Sequence, residues 1–594
     1  MEYEKSLTNQ IKTNPKVLYR YIKQKQKVKD TIGPLERDDG TLVDSGVDLA
    51  NDLNKFFEST FVHEDISDVP DFPDRVHDNI CEIQVTKKCV VDKLLNLNVN
   101  KTPGPDDMHP YLLKQCADSL SSPLQYLFNQ SLTPTDWKQA NVTPIFKKGS
   151  KSKACNYRPI SLTSQVVKIL ESIIRDTLYG FLENHQVFSP HQHGFVKGKS
   201  CLSNLLESLD LWTEALDNNL GVDIIYLDYR KAFDTVPHQR LVKKLNGYGI
   251  RGNILAWLSN FLNHRYQRVV VNGTASQWVC VKSGVPQGSV LGPLLFTLYV
   301  NDIPDIIQCN IKLFADDTKI FSIIKNKSDQ DKLQCDLSSL CDWCVKWLLS
   351  FNIDKCKLLQ LGKSLPAVYT LLDQESHQYL PITQVSEEKD LGVWFSSNLK
   401  PSLQCQKNSA RAMQALGLIR RSFKYLTKES LTTLYKVYVR PHLEYCVQSW
   451  SPYFAKDIDM LERVQHRATK LVESIASLPY ETRLKELNLP SLYCRRERGD
   501  LIETFKILKK FITTTLYNRF SICTSRRTRG HQYKLIKERF HTQCRQNYFT
   551  NRVVNIWNSL PQSIVSANTV NSFKCKLDDF WQSTGYGQTE RPTA

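Results

Sequence analysis

The sequence predicts an α+β protein, with strands in the middle of the chain and helices through its last third. Ile224-Ile225-Tyr226-Leu227 is a short apolar run of the kind that forms a buried strand. Asn272-Gly273 separates two strand-like runs and fits the type I′ turn of a β-hairpin. Beyond Pro401 the apolar residues recur almost wholly at helical spacing.

The same local patterns predict the other elements along the chain. Residues 1–30 form a basic helical pattern, and Pro103-Gly104-Pro105 is a strong turn signal that closes the introductory region. The predictions that follow are a strand at 141–146, an amphipathic helix at about 162–184, a strand at 221–228, hairpin strands at 267–271 and 274–281, a glycine-rich loop at 283–292, a helix ending near 351, and short strands at 357–362 and 391–395.

The positive charge of the chain is unevenly placed. Its 594 residues carry a formal net charge of +17. Residues 1–400 hold 46 Lys and Arg against 46 Asp and Glu, whereas residues 401–594 hold 32 against 15. A basic block joined to a near-neutral body is typical of nucleic-acid binding, and a solvated basic surface is the alternative. The hydrophobic content of 41% argues against extended disorder.

The chain shows no targeting or membrane signal. It starts with the polar residues Met1-Glu2-Tyr3-Glu4-Lys5, and its longest apolar stretch, 290–300, is too short to span a bilayer. The sequence therefore predicts no membrane association and an intracellular location, in the nucleus or cytoplasm, with reduced cysteines. Cys341 and Cys344 form a CxxC without a second pair at zinc-ligand spacing, so we interpret them as packing residues.

Carboxylates end two of the predicted apolar strands. Asp228 follows the run at 224–227, and Asp316 and Asp317 lie at the tip of a hairpin flanked by apolar residues. Crowded carboxylates repel one another and are costly to bury unless a cation neutralises them. Oxygen ligands in small number suit Mg²⁺, and paired ions of this kind serve in-line phosphoryl displacement. The alternative is that these are unrelated surface turns.

Motifs in a fixed order identify a family resemblance. Asp228 with Phe233, the loop at 283–288, and Phe314-Ala315-Asp316-Asp317 follow a basic strand and loop, and in this order they resemble a reverse transcriptase. The closer resemblance is to the polymerase of a jockey-like non-LTR retrotransposon, from Asn100 to the C-terminus. Its most specific pieces are Asn156-Tyr157-Arg158-Pro159-Ile160-Ser161-Leu162, Gly194-Phe195, Tyr229-Arg230-Lys231-Ala232-Phe233-Asp234, the loop at 283–296, the Phe-Ala-Asp-Asp run, and Lys389-Asp390-Leu391-Gly392-Val393.

The resemblance implies a right-hand polymerase fold. Fingers, a palm with an antiparallel sheet and a helical thumb would be followed by a mainly helical basic C-terminal region. The implied boundaries are an N-terminal extension at 1–95, fingers and palm at 96–400 (core about 128–396), a thumb-like region at 401–515 and the basic region at 516–594.

The resemblance also implies the reaction. The chain would be an RNA-directed DNA polymerase, a nucleotidyltransferase that extends a primer 3′-OH with dNTPs on an RNA template in retrotransposon replication. Its partners would be the RNA template, a DNA primer or target DNA, and dNTPs. Asp228, Asp316 and Asp317 would hold two Mg²⁺ ions, with Mn²⁺ as an alternative, and Lys355 would protonate the leaving pyrophosphate, with Lys357 as a competitor.

The same resemblance implies roles for residues that would contact the nucleotide, the primer and the nucleic acid. Arg158 and Lys147 or Lys148 would hold the triphosphate, because charge-assisted contacts suit that task. Phe233 would exclude a 2′-hydroxyl, and Gln287 and Gly288 would approach the nascent base pair. The remaining assignments are primer support by Leu391, Gly392 and Val393, and phosphate contacts by Arg526, Arg527 and Arg529.

Two other functions are compatible with the sequence. An RNA-dependent RNA polymerase shares the paired aspartates, although Phe233 argues against acceptance of a 2′-hydroxyl. An inactive or domesticated copy would act only as a nucleic-acid-binding protein. No endonuclease-like His, Asp and Asn constellation precedes residue 100, and no Cys/His zinc knuckle is present. We therefore expect the polymerase part of an element.

Overall fold

The computed structural model describes residues 2–26, 31–44, 46–130, 134–523 and 530–584. Helices and sheets are both abundant, which confirms the α+β class. Strands are concentrated between residues 139 and 396, and the chain beyond 401 is helical with irregular connections.

A central sheet carries the candidate site. Its strands lie in the order Thr383–Val385, Lys357–Leu361, Gly221–Leu227, Asp317–Ile324, Asn310–Phe314. All neighbours are antiparallel except the first pair, which is parallel. Gly221–Leu227 is almost wholly buried, as its continuous apolar run predicts.

The register of the central sheet brings distant carboxylates together. Thr318 pairs with Leu227, so the next positions in this antiparallel register are Asp317 and Asp228. Residues that lie opposite each other on neighbouring strands have close side chains. The end of the sheet therefore joins acids that are about ninety positions apart in the sequence.

A second sheet lies beside the main cavity described below. Its strands follow the order Tyr157–Leu162, Gln139–Phe146, Arg265–Val271 and Thr274–Ala275, and Val279–Val281 also pairs with Arg265–Val271. Asn272 and Gly273 have φ values of +52° and +84°, as a type I′ turn requires. The predicted hairpin is thereby confirmed, with its second strand interrupted at residues 276–278.

Short strand pairs complete the sheet structure. They are Leu35–Glu36 with Leu42–Val43, Thr370–Asp373 with Gln378–Pro381, and Glu387–Asp390 with Val393–Ser396.

The helices of the first two thirds surround both sheets. The continuous basic helix predicted at 1–30 is instead two helices, because a turn at Asn14 and Pro15 interrupts it. The helices of the first two thirds of the chain are Glu2–Ile11, Lys16–Gln26, Gly46–Glu58, Lys87–Leu95, Pro110–Gln115, Ala117–Asn129, Gln165–Asn184, Cys201–Asp217, His238–Gly247, Gly252–Leu262, Gly292–Tyr299 and Lys327–Lys346.

The last third is built from helices that pack on helix Cys201–Asp217 and on the N-terminal helices. Tyr435–Val439 forms a π-helical turn inside one of them. The helices are Ser402–Ser422, Lys428–Leu434, Arg440–Glu444, Val447–Trp450, Ala455–Thr469, Tyr480–Glu486, Leu492–Leu508, Gln543–Gln546, Phe549–Arg552, Val554–Asn558, Gln562–Val565 and Val570–Thr584. Across the described ranges, we find no helix with the length and apolarity needed to cross a membrane.

An acidic face of helix Cys201–Asp217 binds arginines of the C-terminal region. Arg545 Nη1 donates to Asp210 Oδ1 over 2.9 Å, and Arg519 Nε lies 2.5 Å from Asp210 Oδ2. Arg519 Nη2 also donates to Glu214 Oε2 over 2.7 Å. Part of the positive charge beyond residue 401 is thus used in internal ion pairs rather than offered to a ligand.

Candidate active site

A cavity of about 390 Å³ lies between the central sheet and the second sheet. We call it the main cavity. Its lining includes Lys147, Arg158, Asp228, Lys231, Phe233, Asp234, Gln287, Gly288, Asp316 and Lys355. Eight of these ten residues are site residues that the sequence predicts, drawn from six separate segments of the chain.

Asp228 is positioned by the strand that it follows and by residues 352–356. Its backbone carbonyl accepts a hydrogen bond from the N–H of Asn352 over 2.7 Å. Its side chain accepts a hydrogen bond from Lys355 Nζ, with 2.9 Å between Nζ and Oδ2. Both side chains are about two fifths exposed, so this ion pair opens to the cavity. The ammonium group of Lys355 is attracted to the Asp228 carboxylate, so a positive charge is stabilised beside Asp228.

The tight turn at 315–316, which we call the FADD turn, presents the paired carboxylates. Ala315 has φ +55°, in the left-handed region, and Asp317 begins the next strand. Burial raises the pKa of Asp316, and the nearby Asp228 carboxylate raises it further. Asp317 is exposed, but desolvation by the surrounding protein and the charges of Asp316, Asp390 and Asp228 raise its pKa to about 6. The carboxylates therefore raise one another's pKa, as crowded acids do.

Asp317 faces a smaller cavity on the other side of the turn. This side cavity of about 130 Å³ is lined by Asp228, Asp317, Lys319, Asp390 and Leu391, among others. Lys319 and Asp390 form a buried ion pair there. Asp228 lines both cavities, so it connects the two halves of the acidic site.

The donor chemistry fits divalent cations. Within the described ranges, no three His, Cys, Asp or Glu side chains stand close enough together to hold an ion by themselves. Mg²⁺ is usually bound by one or two carboxylates plus substrate phosphates, so a complete protein cage is not required. Asp228, Asp316 and Asp317 supply hard oxygen donors whose mutual repulsion a cation would relieve.

Basic side chains cover the opposite wall of the main cavity. Lys147 and Arg158 come from paired strands of the second sheet or their ends, since Phe146 pairs with Tyr157. Burial lowers the pKa of Lys147, and the neighbouring charges of Arg158 and Lys355 lower it further. A cluster of like charges on one wall is suited to bind a polyanion.

Phe233 is held against a second ring. It stacks on Phe296, with 4.4 Å between the ring centroids and 18° between the ring planes. Stacking of this kind restricts the ring to one orientation while its edge stays in the cavity lining. The predicted steric role for Phe233 requires this rigidity.

The loop at 283–288 packs directly on the second sheet. Gln287 donates through Nε2 to Asp234 Oδ1 over 3.0 Å, and its backbone carbonyl accepts from the N–H of Ser161 over 2.8 Å. Gly288 has φ +125°, and a Cβ there would overlap the carbonyl oxygen of Ser161. Only glycine fits this position without moving the loop.

From the nucleotide contact that the resemblance implies, we expect Gly288→Ala to raise the KM for that nucleotide about tenfold and to lower the melting temperature. A Cβ at φ +125° costs roughly 1–3 kcal/mol and would overlap the carbonyl oxygen of Ser161. Steady-state incorporation and thermal unfolding measure the two effects. Gly273→Ala is the matched control, since Gly273 also has a positive φ but has open space around it. An unchanged KM for Gly288→Ala would contradict a role for this loop at the substrate.

The predicted primer-support residues divide between surface and core. Leu391 and Gly392 are half-buried, and the Tyr445 hydroxyl donates to the Leu391 carbonyl over 2.9 Å. Val393 is fully buried in the hydrophobic core. Arg526, Arg527 and Arg529 lie outside the described residues.

Sequence reasoning missed residues that shape the main cavity. Lys231 extends the basic wall, and burial lowers its pKa. Asp234 holds Gln287, and burial raises its pKa to about 6. Glu171 Oε2 accepts from the backbone N–H groups of Val290 and Leu291, over 2.6 and 3.1 Å. Lys231 and Asp234 belong to a motif segment that the resemblance covers, but Glu171 sits in a helical run without a sequence signal.

Comparison with known proteins agrees with this arrangement. The profile of the family described as reverse transcriptase (RNA-dependent DNA polymerase) matches residues 145–417. That range contains every predicted site residue except Arg526, Arg527 and Arg529. The chain carries a reverse transcriptase domain.

Related sequences place this reverse transcriptase domain with the jockey-like, non-LTR group. The chain is 25% identical over 485 residues to the probable RNA-directed DNA polymerase from transposon BS of Drosophila melanogaster, covering 76% of the chain and 52% of that protein. It is 26% identical over 426 residues to the RNA-directed DNA polymerase from mobile element jockey of the same organism, covering 68% and 45%. The chain spans about half the length of these curated relatives.

Proposed function

We propose that the protein is an RNA-directed DNA polymerase that extends a primer 3′-OH with dNTPs on an RNA template during retrotransposon replication. One observation carries the proposal most directly. Asp228 and Asp316 line the same cavity as the basic residues Lys147, Arg158 and Lys231, and Phe233 and Gln287 line it too. A site that binds a nucleotide and transfers its phosphoryl group needs acids that bind metal ions, cations that bind phosphates, and side chains that contact the sugar and base.

Asp228, Asp316 and Asp317 would hold two divalent ions, Mg²⁺ or Mn²⁺. When bound, the ions supply Lewis-acid stabilisation of the attacking and leaving oxygens in phosphoryl transfer. The acids themselves orient the site, because their strands are locked by the register of the central sheet. Lys355, which pairs with Asp228 and lines the main cavity, would donate a proton to the leaving pyrophosphate.

The basic wall would hold the triphosphate. Arg158 can make bidentate contacts to phosphate oxygens, whereas Lys147 and Lys231 act as point charges. Phe233 would lie against C2′ of the sugar and exclude a hydroxyl. Gln287 and Gly288 would lie beneath the nascent base pair. The hydrogen bond from Ser161 to the Gln287 carbonyl would hold the loop backbone in place there.

The domain assignment follows from these roles. The second sheet, with Lys147 and Arg158, corresponds to fingers, and the central sheet corresponds to the palm. The proposed boundaries stay at 1–95, 96–400, 401–515 and 516–594, with the thumb in the third. Contact of Tyr445 with Leu391 and Gly392 supports placing the primer end where the thumb-like region meets the palm.

Template-directed incorporation tests the proposal. The purified chain is incubated with poly(rA)/oligo(dT), labelled dTTP and a range of Mg²⁺ and Mn²⁺ concentrations. We expect metal-dependent extension of the primer that stops when the metal is chelated. Nucleic-acid binding without synthesis at any metal concentration would favour the alternative of an inactive binding protein.

Salt dependence tests the proposed nucleic-acid surface beyond residue 401. We expect log K for a single strand to fall with log[salt] by about 0.7 for each phosphate neutralised. Replacing Arg526, Arg527 and Arg529 by Gln should flatten that slope by up to about two units. The matched control is Arg519→Gln, because Arg519 is already paired with Asp210 and Glu214 and should affect stability rather than the slope. A full slope in the triple variant would move the surface elsewhere.

A further inference from the structure

A buried glutamine lies directly behind the FADD turn. Gln192 is fully buried, and its Oε1 accepts hydrogen bonds from the backbone N–H groups of Gly194, over 2.7 Å, and Ala315, over 3.0 Å. Both neighbours are N–H donors, so the side-chain amide must present its oxygen to the turn. Among the described residues, Nε2 of Gln192 has no hydrogen-bond partner. The side chain is therefore fastened by the contact with the turn.

The residue that Gln192 binds is in a costly conformation. Ala315 has φ +55°, and left-handed backbone costs an alanine roughly 1–2 kcal/mol. Asp316 follows immediately, so the direction of its carboxylate depends on this φ. A strained residue persists only where its surroundings hold it in place.

The segment around Gln192 is itself anchored to the strand that enters the turn. The N–H of His193 donates to the carbonyl of Leu313 over 2.8 Å, and the N–H of Leu313 donates to the carbonyl of His191 over 3.0 Å. Gly194 approaches the turn so closely that a Cβ there would overlap the amide nitrogen of Ala315. Gln192 thus bridges the segment at 191–194 and the FADD turn, and backbone hydrogen bonds between His191, His193 and Leu313 hold these two segments together.

We propose that Gln192 is a positioning residue that holds the FADD turn in its left-handed form and so aims Asp316 into the main cavity. This inference rests on the proposed polymerase function for its effect on rate. It concerns the residue that orients the acid, not the acid itself. Gln192 is not among the residues that line the main cavity, so it acts on the site through its contacts with Ala315 and Gly194.

Gln192→Met tests the role, because methionine keeps the length of the side chain and removes the acceptor. We expect amide exchange in a peptide covering 310–318, followed by mass spectrometry, to rise about tenfold, since the Ala315 N–H loses its partner. We expect kcat for dTTP incorporation to fall about tenfold with little change in KM, because the substrate-binding wall is untouched.

Ala315→Gly supplies the decisive second variant. Glycine adopts positive φ at no steric cost, so adding it to Gln192→Met should restore kcat to within about threefold of wild type. Because Ala315→Gly also relieves backbone strain in the fold, thermal unfolding is measured beside kcat to separate recovered stability from recovered positioning. If Gln192→Met does not fold, Gln192→Asn keeps an amide but withdraws the acceptor by one methylene, and it should raise the same exchange.

Gln330→Met is the matched control. Gln330 is also a buried glutamine, but it donates to Asp223 and Leu365, away from the turn. Its replacement should leave exchange at 310–318 unchanged. The inference is overturned if Gln192→Met leaves that exchange at the wild-type rate, or if Ala315→Gly restores nothing. A wild type that incorporates no dTTP would refute the proposed function, while the exchange experiment would still decide the role of Gln192.

Discussion

Asp316→Asn is expected to reduce dTTP incorporation by about 10³-fold, because loss of a metal-binding carboxylate removes several kcal/mol of transition-state stabilisation. The variant should bind the template and primer as tightly as the wild type. Its melting temperature should rise, since burial and the neighbouring Asp228 raise the pKa of Asp316 and so make its charged form unfavourable in the folded protein. Single-turnover incorporation, filter binding and thermal unfolding measure these effects.

Asp305→Asn is the control for that experiment. Asp305 is about half exposed and pairs with Arg75 outside both cavities, so its loss should change neither incorporation nor binding. Retention of more than a tenth of the wild-type rate in Asp316→Asn would exclude Asp316 as an essential ligand. A lowered melting temperature would show that repulsion among the acids is already compensated in the free protein.

Phe233→Ala is expected to lower the preference for dNTPs over rNTPs by about 10–100-fold. The physical reason is steric, since a group forced into a packed site costs about 1–3 kcal/mol, and truncation of the ring removes that penalty for the 2′-hydroxyl. The stacked contact with Phe296 holds the ring in place in the wild type. Competition between dTTP and UTP on one template and primer gives the ratio directly.

Phe233→Leu separates bulk from aromaticity. Leucine retains most of the volume at the cavity wall, so selectivity should stay close to that of the wild type. Equal selectivity in Phe233→Ala and wild type would show that another residue excludes the hydroxyl. A wild type that prefers rNTPs would instead indicate an RNA-dependent RNA polymerase.

The local pattern of the sequence was sufficient for the longer strands except Tyr157–Leu162, for the hairpin at Asn272-Gly273 and for the position of acids at strand ends. The short strands between residues 370 and 390 were also missed. Side-chain alternation and turn chemistry depend on neighbours within a few residues, so they can be read from the chain. The fold class and the family resemblance followed from such runs. The break between the first two helices was missed, although Pro15 carried the signal for it.

Which residues meet in the cavity was decided by the tertiary structure. The resemblance named Asp228, Arg158 and Gln287 by motif, but only the packing of two sheets brings them to one cavity. Glu171 lies in an ordinary helical run, and its contact with the loop at 290–291 spans about 120 positions. No local pattern encodes such a contact, because it depends on how separate elements pack.

The tertiary structure also decided which partners the charged and polar side chains bind. The sequence alone determined that the last third is basic, yet burial against an acidic helix face decided that Arg519 and Arg545 serve internal ion pairs. In the same way, a glutamine in a polar segment is unremarkable until the fold buries Gln192 against a strained turn. Composition and periodicity specify which elements form. The partner of each polar group is specified only when those elements exclude water between them.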